Sequence, residues 1–326
     1  MLLIIMFFAN SCSQNVQSGP DPVIVAYVWG RGNPALPDPT HITHINYAFG
    51  YVTETFDGVG IWNEDFLMAV SNLKQQKPEL KVLLAIGGWG RGGFSEMASC
   101  EDLRRAFVAD CKRVVDQFDL AGIDMDWEYP TNSEAGIASS PDDIENFTAL
   151  MREIRQILGS DKLLTFASSS SARYVDFEAV LPYVDFINIM TYDMGRPPYH
   201  HAALFPSERT RRSAEESIEM HIEKGVPPHK MTLGIPFYGH GLRNVRIADI
   251  ANLTEYTEKW DEVSKVPYLV NDEGEMVFTF ENPRSIAYKS EFIKQKGLLG
   301  AMYWQYAQDD EQGTLRKAVW QGVIGN

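Results

Sequence analysis

The chain has 326 residues, of which 44 are Asp or Glu and 29 are Lys or Arg, so its formal net charge is −15. An acidic chain repels phosphate backbones, which argues against a nucleic-acid partner. The hydrophobic fraction of 44% is enough to fill a large core.

The N-terminal segment has the pattern of an export signal. Residues 1–8 form an apolar run too short to span a bilayer, and small residues follow it before Cys12. The segment resembles a bacterial lipoprotein signal with Cys12 as the lipidated first residue, although no Lys or Arg precedes the run. Plain secretion and a wrongly assigned start codon are the alternatives. We therefore expect a signal peptide and tether over residues 1–21 and an exported protein, secreted or membrane-anchored, whose only membrane contact is Cys12.

From residue 22 onward, short apolar stretches with β character alternate with helical patterns. The predicted strands cover residues 23–27, 42–49, 81–86, 121–128, 163–167, 186–190, 231–237 and 300–304. The predicted helices cover residues 66–76, 101–118, 141–158, 213–224 and 285–296. Eight strands alternating with helices predict a (β/α)8 barrel as one domain over residues 22–326. A doubly wound sheet is the alternative, but the turn after the first strand lacks a dinucleotide fingerprint.

The fourth predicted strand carries acids at alternate positions, Asp124, Asp126 and Glu128. Alternate side chains share one face of a strand, so these carboxyls should lie roughly 6–7 Å apart. Their mutual repulsion raises at least one pKa, which gives a proton donor near neutral pH, as acid catalysis at a glycosidic oxygen requires. A solvated edge strand or an oxygen-ligand metal site are the alternatives. The apolar neighbours disfavour the first, and the lack of a nearby His or further acid cluster disfavours the second.

The acidic strand and its surroundings resemble glycoside hydrolase family 18, which includes chitinases, endo-β-N-acetylglucosaminidases and chitinase-like lectins. The family signature D-x-x-D-x-D-x-E reads A-G-I-D-M-D-W-E at residues 121–128. Five further segments occur in the family order: HITHINYAFG at 41–50, LLAIGGW at 83–89, MTYD at 190–193, GVPPHKMTLGIPFYG at 225–239 and LLGAMYW at 298–304.

The resemblance implies catalytic roles for four residues. Glu128 would protonate the glycosidic oxygen and later activate water. Asp126 would hold the substrate's N-acetyl group so that its carbonyl oxygen attacks the anomeric carbon, a substrate-assisted route. Asp124 would tune Asp126 by sharing a proton, and Tyr192 would hydrogen-bond the attacking carbonyl.

Further residues at strand ends would bind the sugar. The resemblance implies that Asp193 contacts the sugar in the −1 site, that Met190 lies at its wall and that Trp304 forms its floor. The other expected substrate-binding residues are Tyr27, Phe49, Gly88, Trp89 and Tyr238. A core role is the alternative for Tyr27, Phe49, Met190, Tyr192 and Trp304.

The sequence departs from the family pattern at four positions. Ala121 replaces the first acid of the signature, and Ala85 replaces a serine near the inner aspartate. His240 stands where arginine usually follows Tyr-Gly, and Gln305 stands where glutamate usually follows the last Trp. Because Glu128, Asp126 and Tyr192 are all present, we expect an active enzyme, with a possible reduction in rate.

The segment between predicted strands seven and eight is about 60 residues long, and larger family members carry an α+β insertion there. Only short strands, at residues 266–270 and 275–280, are predicted within it. We therefore expect a reduced or absent insertion, and with it an open groove and endo-type cleavage.

The expected reaction is hydrolysis of β-1,4 bonds next to N-acetylglucosamine, with retention of configuration, by a monomer without cofactor or metal. Chitin-type oligomers and the core of N-glycans compete as substrates, and a sugar-binding lectin is the alternative from another class.

Cys100 and Cys111 are eleven residues apart on or beside one predicted helix. We expect roughly 16 Å between them, which is too far for a disulfide.

Overall fold

In the computed structural model, residues 20–32, 34–241 and 244–325 are described. The strands are β1 (Val23–Trp29), β2 (His44–Val52), β3 (Val59–Ile61), β4 (Lys81–Gly87), β5 (Gly122–Asp126), β6 (Leu163–Ser169), β7 (Phe186–Met190), β8 (Met231–Pro236), β9 (Tyr238–His240), β10 (Asn244–Arg246), β11 (Thr257–Asp261), β12 (Val266–Val270), β13 (Met276–Thr279) and β14 (Gly300–Trp304). The helices are α1 (Glu64–Ser71), α2 (Phe94–Ser99), α3 (Glu101–Gln117), α4 (Asp143–Leu158), α5 (Phe177–Val180), α6 (Ala214–Glu223), α7 (Ile247–Ile250), α8 (Pro283–Lys296) and α9 (Thr314–Val323). The expected signal peptide and Cys12 lie outside the described residues.

Eight parallel strands close into a barrel. Their order is β1, β14, β8, β7, β6, β5, β4, β2, and β2 pairs again with β1. The closure confirms the (β/α)8 prediction and excludes the doubly wound alternative, because a doubly wound sheet has two open edges. Parallel strands that all end at one face bring the residues after each strand together there.

Side chains alternate along each strand between the barrel interior and the surrounding helices. On β1, Val25 and Tyr27 belong to the interior cluster, whereas Ile24 and Ala26 belong to the larger cluster that includes buried helix residues. The interior cluster is smaller and contains most of the aromatic residues at the carboxyl ends of the strands. The fold therefore separates a packed outer core from an inner wall that is available to a ligand.

Local boundaries differ from prediction at the acidic strand. The strand β5 ends at Asp126, so Glu128 lies two residues beyond it rather than at its end. Helix α4 begins at Asp143, two residues later than expected. The cause is the buried Asp143 carboxylate, which accepts hydrogen bonds from the backbone N–H groups of Thr131 and Ser140 and from the Ser95 hydroxyl. Asp143 therefore fixes the loop that follows Glu128.

An insertion follows the seventh barrel strand, β8. It is an antiparallel sheet of five strands in the order β10, β9, β13, β12, β11, together with α7. We expected a reduced or absent insertion; one is present, and its strands are only three to five residues long. A buried ion pair anchors its base: Lys289 of α8 contacts Glu281 and donates a 2.7 Å hydrogen bond to the carbonyl oxygen of Ala202. The pair ties the insertion to the loop after β7.

Two further expectations concern the cysteines and the membrane. Cys100 and Cys111 are both free thiols, as predicted from their spacing. Within the described part of the chain, none of the helices combines the length and apolar character needed to cross a bilayer.

Candidate active site

A cleft of about 1090 Å³ opens at the carboxyl ends of the barrel strands. Among the predicted site residues, the cleft is lined by Glu128, Asp126, Tyr192, Tyr27, Phe49, Gly88, Trp89, Met190, Asp193, Tyr238 and Trp304. These residues come from seven of the eight barrel strands and the segments that follow them. Closure of the barrel therefore gathers residues that are more than 270 positions apart in the chain.

Asp124 does not line the cleft. It is fully buried beneath it, so it acts on the site through its neighbours rather than by touching a ligand. Tyr27 donates a 2.6 Å hydrogen bond to Oδ2 of Asp124, and Thr165 and Asn188 donate to Oδ1 at 2.5 and 3.0 Å. Burial raises the pKa of Asp124 to about 6, although these hydrogen bonds to the carboxylate oppose the rise.

Asp126 is buried two residues after Asp124 on β5 and is paired in register with Gly87 of β4. Its backbone carbonyl accepts a 2.8 Å hydrogen bond from the N–H of Gly88. Its side-chain Oδ1 has no hydrogen-bond partner among the described residues. Burial, together with the charges of Glu128 and Asp124, raises the pKa of Asp126 well above its ordinary value. The side chain thus presents an unused acceptor in a buried part of the cleft.

Glu128 extends from the loop after β5 and is half-buried. Burial is the main cause that raises the pKa of Glu128 to about 7, and the nearby Asp193 carboxylate adds to it. A carboxyl with this pKa is largely protonated in mildly acidic solution and can donate its proton.

Tyr192 follows β7 and lies over β8. Its hydroxyl points to the Met302 sulfur at 3.8 Å. Gly234 makes room for the ring, because a Cβ at that position would lie 2.9 Å from a ring carbon of Tyr192. Burial and the charges of Asp126 and Glu128 raise the pKa of Tyr192 well above 10, so the phenol stays a hydrogen-bond donor.

Aromatic rings form the floor of the cleft. Trp304 stacks on Phe49 with ring centroids 5.5 Å apart and an interplanar angle of 17°, and Tyr27 packs against it at 5.6 Å. Gly88 adopts a φ of +94°, and a Cβ there would lie 2.6 Å from the Phe49 ring, so only glycine fits. Tyr27, Phe49 and Met190 are buried and also line the cleft, so the core and cleft expectations for them are both met.

Two tryptophans of the cleft differ in how much of their ring surface is available to a sugar. Trp89 is 60% exposed and lies beside Tyr129, with 6.3 Å between ring centroids. Trp62, which the sequence reading missed, carries the guanidinium groups of Arg31 and Arg91 over its ring at 4.2 and 4.3 Å. A ring contacted by two guanidiniums offers less surface to a sugar.

Asp193 sits in a polar cluster beside Tyr238. Its Oδ1 accepts hydrogen bonds from the Tyr238 hydroxyl at 2.7 Å and from Nε2 of His240 at 2.5 Å, and Nδ1 of His201 lies 3.8 Å away. Burial acts to raise the pKa of Asp193, but these neighbours outweigh it and hold the pKa below its ordinary range. His240 was expected to change the substrate subsites. His201 was not predicted as a site residue, although its position in the loop after a buried strand could have indicated it.

The other departures from the family pattern lie near the site or beside it. Ala85 is paired in register with Asp124. Gln305 accepts a hydrogen bond from the backbone N–H of Ala307 and so caps the short helical turn after Trp304. Neither residue lines the cleft.

Comparison with known proteins agrees with this geometry. The family model for glycosyl hydrolases family 18 matches residues 5–309. Chitinase A1 of Niallia circulans is 28% identical, over 89% of this chain and 56% of that protein, so the chain spans little more than half of that relative. Chitotriosidase-1 of Mus musculus is also 28% identical, over 85% of this chain and 69% of that protein.

Solved structures give the same family. A family 18 N-acetylglucosaminidase from Paenibacillus barengoltzii superposes with a TM-score of 0.86 at 33% identity, covering 93% of this chain and 100% of that one. Chitinase ChiW from a Paenibacillus species superposes with a TM-score of 0.87 at 28% identity, covering 94% of this chain and 33% of that one. The chain is therefore a member of glycosyl hydrolases family 18.

Proposed function

We propose that the protein hydrolyses β-1,4 bonds next to N-acetylglucosamine in chitin or chito-oligosaccharides. The observation that carries the proposal is the pair formed by Asp126 and Glu128 at the carboxyl end of β5, above the aromatic floor of the cleft. Relatives named as a chitinase and a chitotriosidase support the choice of substrate.

The proposed attack comes from the substrate itself. Oδ1 of Asp126 accepts a hydrogen bond from the acetamide N–H. This bond holds the acetamide so that the acetamide carbonyl oxygen faces the anomeric carbon. The buried and unpaired state of Oδ1 supports this role, since a ligand N–H would satisfy it. The Tyr192 hydroxyl donates to the acetamide oxygen, which orients the nucleophile.

Glu128 supplies the proton that the leaving sugar needs. With a pKa of about 7, it is largely protonated in mildly acidic solution and gives its proton to the glycosidic oxygen as the bond breaks. As that bond breaks, the acetamide oxygen bonds to the anomeric carbon and closes an oxazolinium ring. The Glu128 carboxylate then takes a proton from the water that opens this ring, which restores Glu128 and gives a product with retained configuration.

The flat face of Trp304 supports the sugar from below. Its indole is held by stacking on Phe49, so it presents a fixed apolar surface to the C–H face of a pyranose ring. The Asp193 carboxylate accepts a hydrogen bond from Tyr238 and is placed to accept another from a hydroxyl group of the same sugar.

Substrate choice is tested by incubating the protein with chitotetraose and, separately, with a high-mannose glycoprotein. The proposal expects release from chitotetraose, whereas release from the glycoprotein alone would assign the protein to the endo-β-N-acetylglucosaminidases. Binding without any release from either substrate would assign it to the lectins of the family.

An exo-acting N-acetylglucosaminidase is a second candidate. The Paenibacillus barengoltzii relative is described as an N-acetylglucosaminidase, and the guanidiniums of Arg31 and Arg91 over Trp62 reduce the stacking surface in the cleft. Early products from chitohexaose separate the two modes, because exo action releases only the monosaccharide at first and endo action releases dimers to tetramers.

We further propose that residues 1–21 direct export and that Cys12 carries a lipid. The apolar run followed by small residues and a cysteine supports this. The variant Cys12→Ser should move the protein from the membrane to the soluble fraction, and its persistence in the membrane fraction would reject lipidation.

A further inference from the structure

Three side chains with metal-binding atoms converge at one wall of the cleft. They are Asp193 after β7, His201 in the loop that follows, and His240 at the end of β9. Each offers one donor atom, and the three donors lie within 4.8 Å of one another. Segments from both the barrel and the insertion meet there, so the cluster exists only in the folded chain.

The histidines have unused hydrogen-bonding capacity in a buried place. His201 is fully buried, and neither of its ring nitrogens has a hydrogen-bond partner among the described residues. The same holds for Nδ1 of His240, which is 2% exposed. The two rings lie edge to face, with centroids 4.7 Å apart. Buried polar atoms are normally paired, and the nearest acceptor to His201 Nδ1 is Asp193 Oδ1 at 3.8 Å, so these nitrogens are available to a ligand.

The donor set selects the class of ligand. Two imidazoles and one carboxylate suit Zn²⁺ and its first-row neighbours, whereas Mg²⁺ and Ca²⁺ prefer oxygen alone. Donors around tetrahedral zinc lie about 3.3 Å apart, given Zn–N bonds of about 2.0–2.1 Å. On binding, the 3.8 Å distance from Asp193 Oδ1 to His201 Nδ1 must therefore shorten, and the 2.5 Å distance from Asp193 Oδ1 to His240 Nε2 must lengthen. The Asp193 side chain is 57% exposed and has room to move toward the rings.

We propose that Asp193, His201 and His240 form a binding site for a divalent transition-metal ion, with Zn²⁺ as the ion of choice. Three protein donors leave one position of a tetrahedral site open to the cleft. Bound Zn²⁺ would engage the Asp193 carboxylate, and water or a sugar hydroxyl would fill the open position. The inference concerns binding, so it stands or falls separately from the proposed hydrolysis.

Calorimetric titration of EDTA-treated, dialysed protein with ZnCl₂ tests the site. We expect one Zn²⁺ per chain, a higher melting temperature with Zn²⁺ present, and no binding of Mg²⁺ at the same concentration. The variants His201→Asn and His240→Arg should each weaken Zn²⁺ binding at least tenfold. His229→Asn removes an exposed histidine elsewhere and should bind Zn²⁺ like the wild type.

A second readout protects the test if His201→Asn folds poorly. Co²⁺ in place of Zn²⁺ should give visible d–d absorption of a low-coordinate site in the wild type, and His240→Arg should abolish it. Absence of saturable Zn²⁺ binding by the wild type, or binding by His240→Arg equal to that of the wild type, would overturn the proposal. The histidines would then serve only to hold Asp193.

Discussion

Tyr27 of β1 and Asp124 of β5 are joined across the barrel interior by a 2.6 Å hydrogen bond. The bond links the floor of the cleft to the buried acid beneath Asp126, because the Tyr27 ring also packs against Trp304. Hydrogen bonds from Tyr27, Thr165 and Asn188 thereby stabilise the negative charge of the Asp124 carboxylate.

Replacement of Tyr27 by Phe should lower kcat about tenfold and destabilise the fold by about 1–3 kcal/mol, because Asp124 loses a buried donor. The matched control is Tyr47→Phe on β2, which removes a 2.8 Å hydrogen bond to the carbonyl of Asn63 outside the cleft. The control should lose stability but keep kcat. Urea unfolding and initial rates on chitotetraose measure both effects, and equal kcat losses in the two variants would refute the link to catalysis.

The pH dependence of kcat should follow the protonation of Glu128. Only the protonated carboxyl can donate to the leaving oxygen, and burial raises its pKa to about 7. The rate should therefore fall about tenfold per pH unit above about pH 7. Initial rates with saturating chito-oligosaccharide between pH 5 and 9 measure this limb. A rate that stays flat up to pH 9 would be inconsistent with a proton donor of this pKa.

The stability of the fold should also fall with rising pH because of Glu128, but over a lower pH range than the rate. The folded-state pKa of Glu128 lies above its ordinary value of 4.5, so its contribution is full below about pH 4.5 and is lost as pH rises through about 7. Glu128→Gln removes this charge and should melt at a higher temperature than the wild type at pH 8. The difference should vanish near pH 4.5. A variant that melts lower than the wild type at pH 8 would contradict the assigned burial.

The buried pair of Glu281 and Lys289 should matter far more than an exposed one. Lys289→Met leaves the Glu281 carboxylate without its partner, and we expect a loss of about 3–5 kcal/mol. Lys296→Met on the same helix breaks a half-exposed pair with Glu219 and should cost less than about 1 kcal/mol. Urea denaturation of both variants provides the comparison, and similar losses would show that burial of the first pair is energetically unimportant.

The barrel itself follows from local patterns in the chain. Strands β7 and β14 match the predicted residues 186–190 and 300–304, since each is a short apolar run with clear boundaries. The start of α4 was misplaced because Ser140 and Pro141 resemble a helix start. The Asp143 carboxylate decides it instead, by accepting hydrogen bonds from the backbone N–H groups of Thr131 and Ser140 and from the Ser95 hydroxyl. That choice depends on tertiary contacts.

The alternation of Asp124, Asp126 and Glu128 in the sequence predicted that these acids lie in the site, but it did not predict how deeply each one is buried. Burial of Asp124 depends on donors from β1, β6 and β7, which only the closed barrel brings together. His201 was missed for a similar reason, because its neighbour His240 lies 39 positions further along the chain, in the insertion. Contacts between distant segments carry no periodic signal in the sequence.

The identity of the nucleophile is open to a direct chemical test. If the acetamide attacks, the first product from chitotetraose should be the β-anomer, observed by ¹H NMR within the first turnovers. Cellotetraose, which lacks the acetamide, should not be cleaved at a measurable rate. Early appearance of the α-anomer would instead require a water molecule as the nucleophile.

The role of Glu128 as the proton donor is measured most directly by kcat of Glu128→Gln with chitotetraose at pH 6. The substitution keeps the size of the side chain but removes the transferable proton. We predict a fall in kcat of about 10²–10⁴-fold, with cooperative thermal unfolding retained. Hydrolysis by the folded variant at the wild-type rate would contradict the central claim.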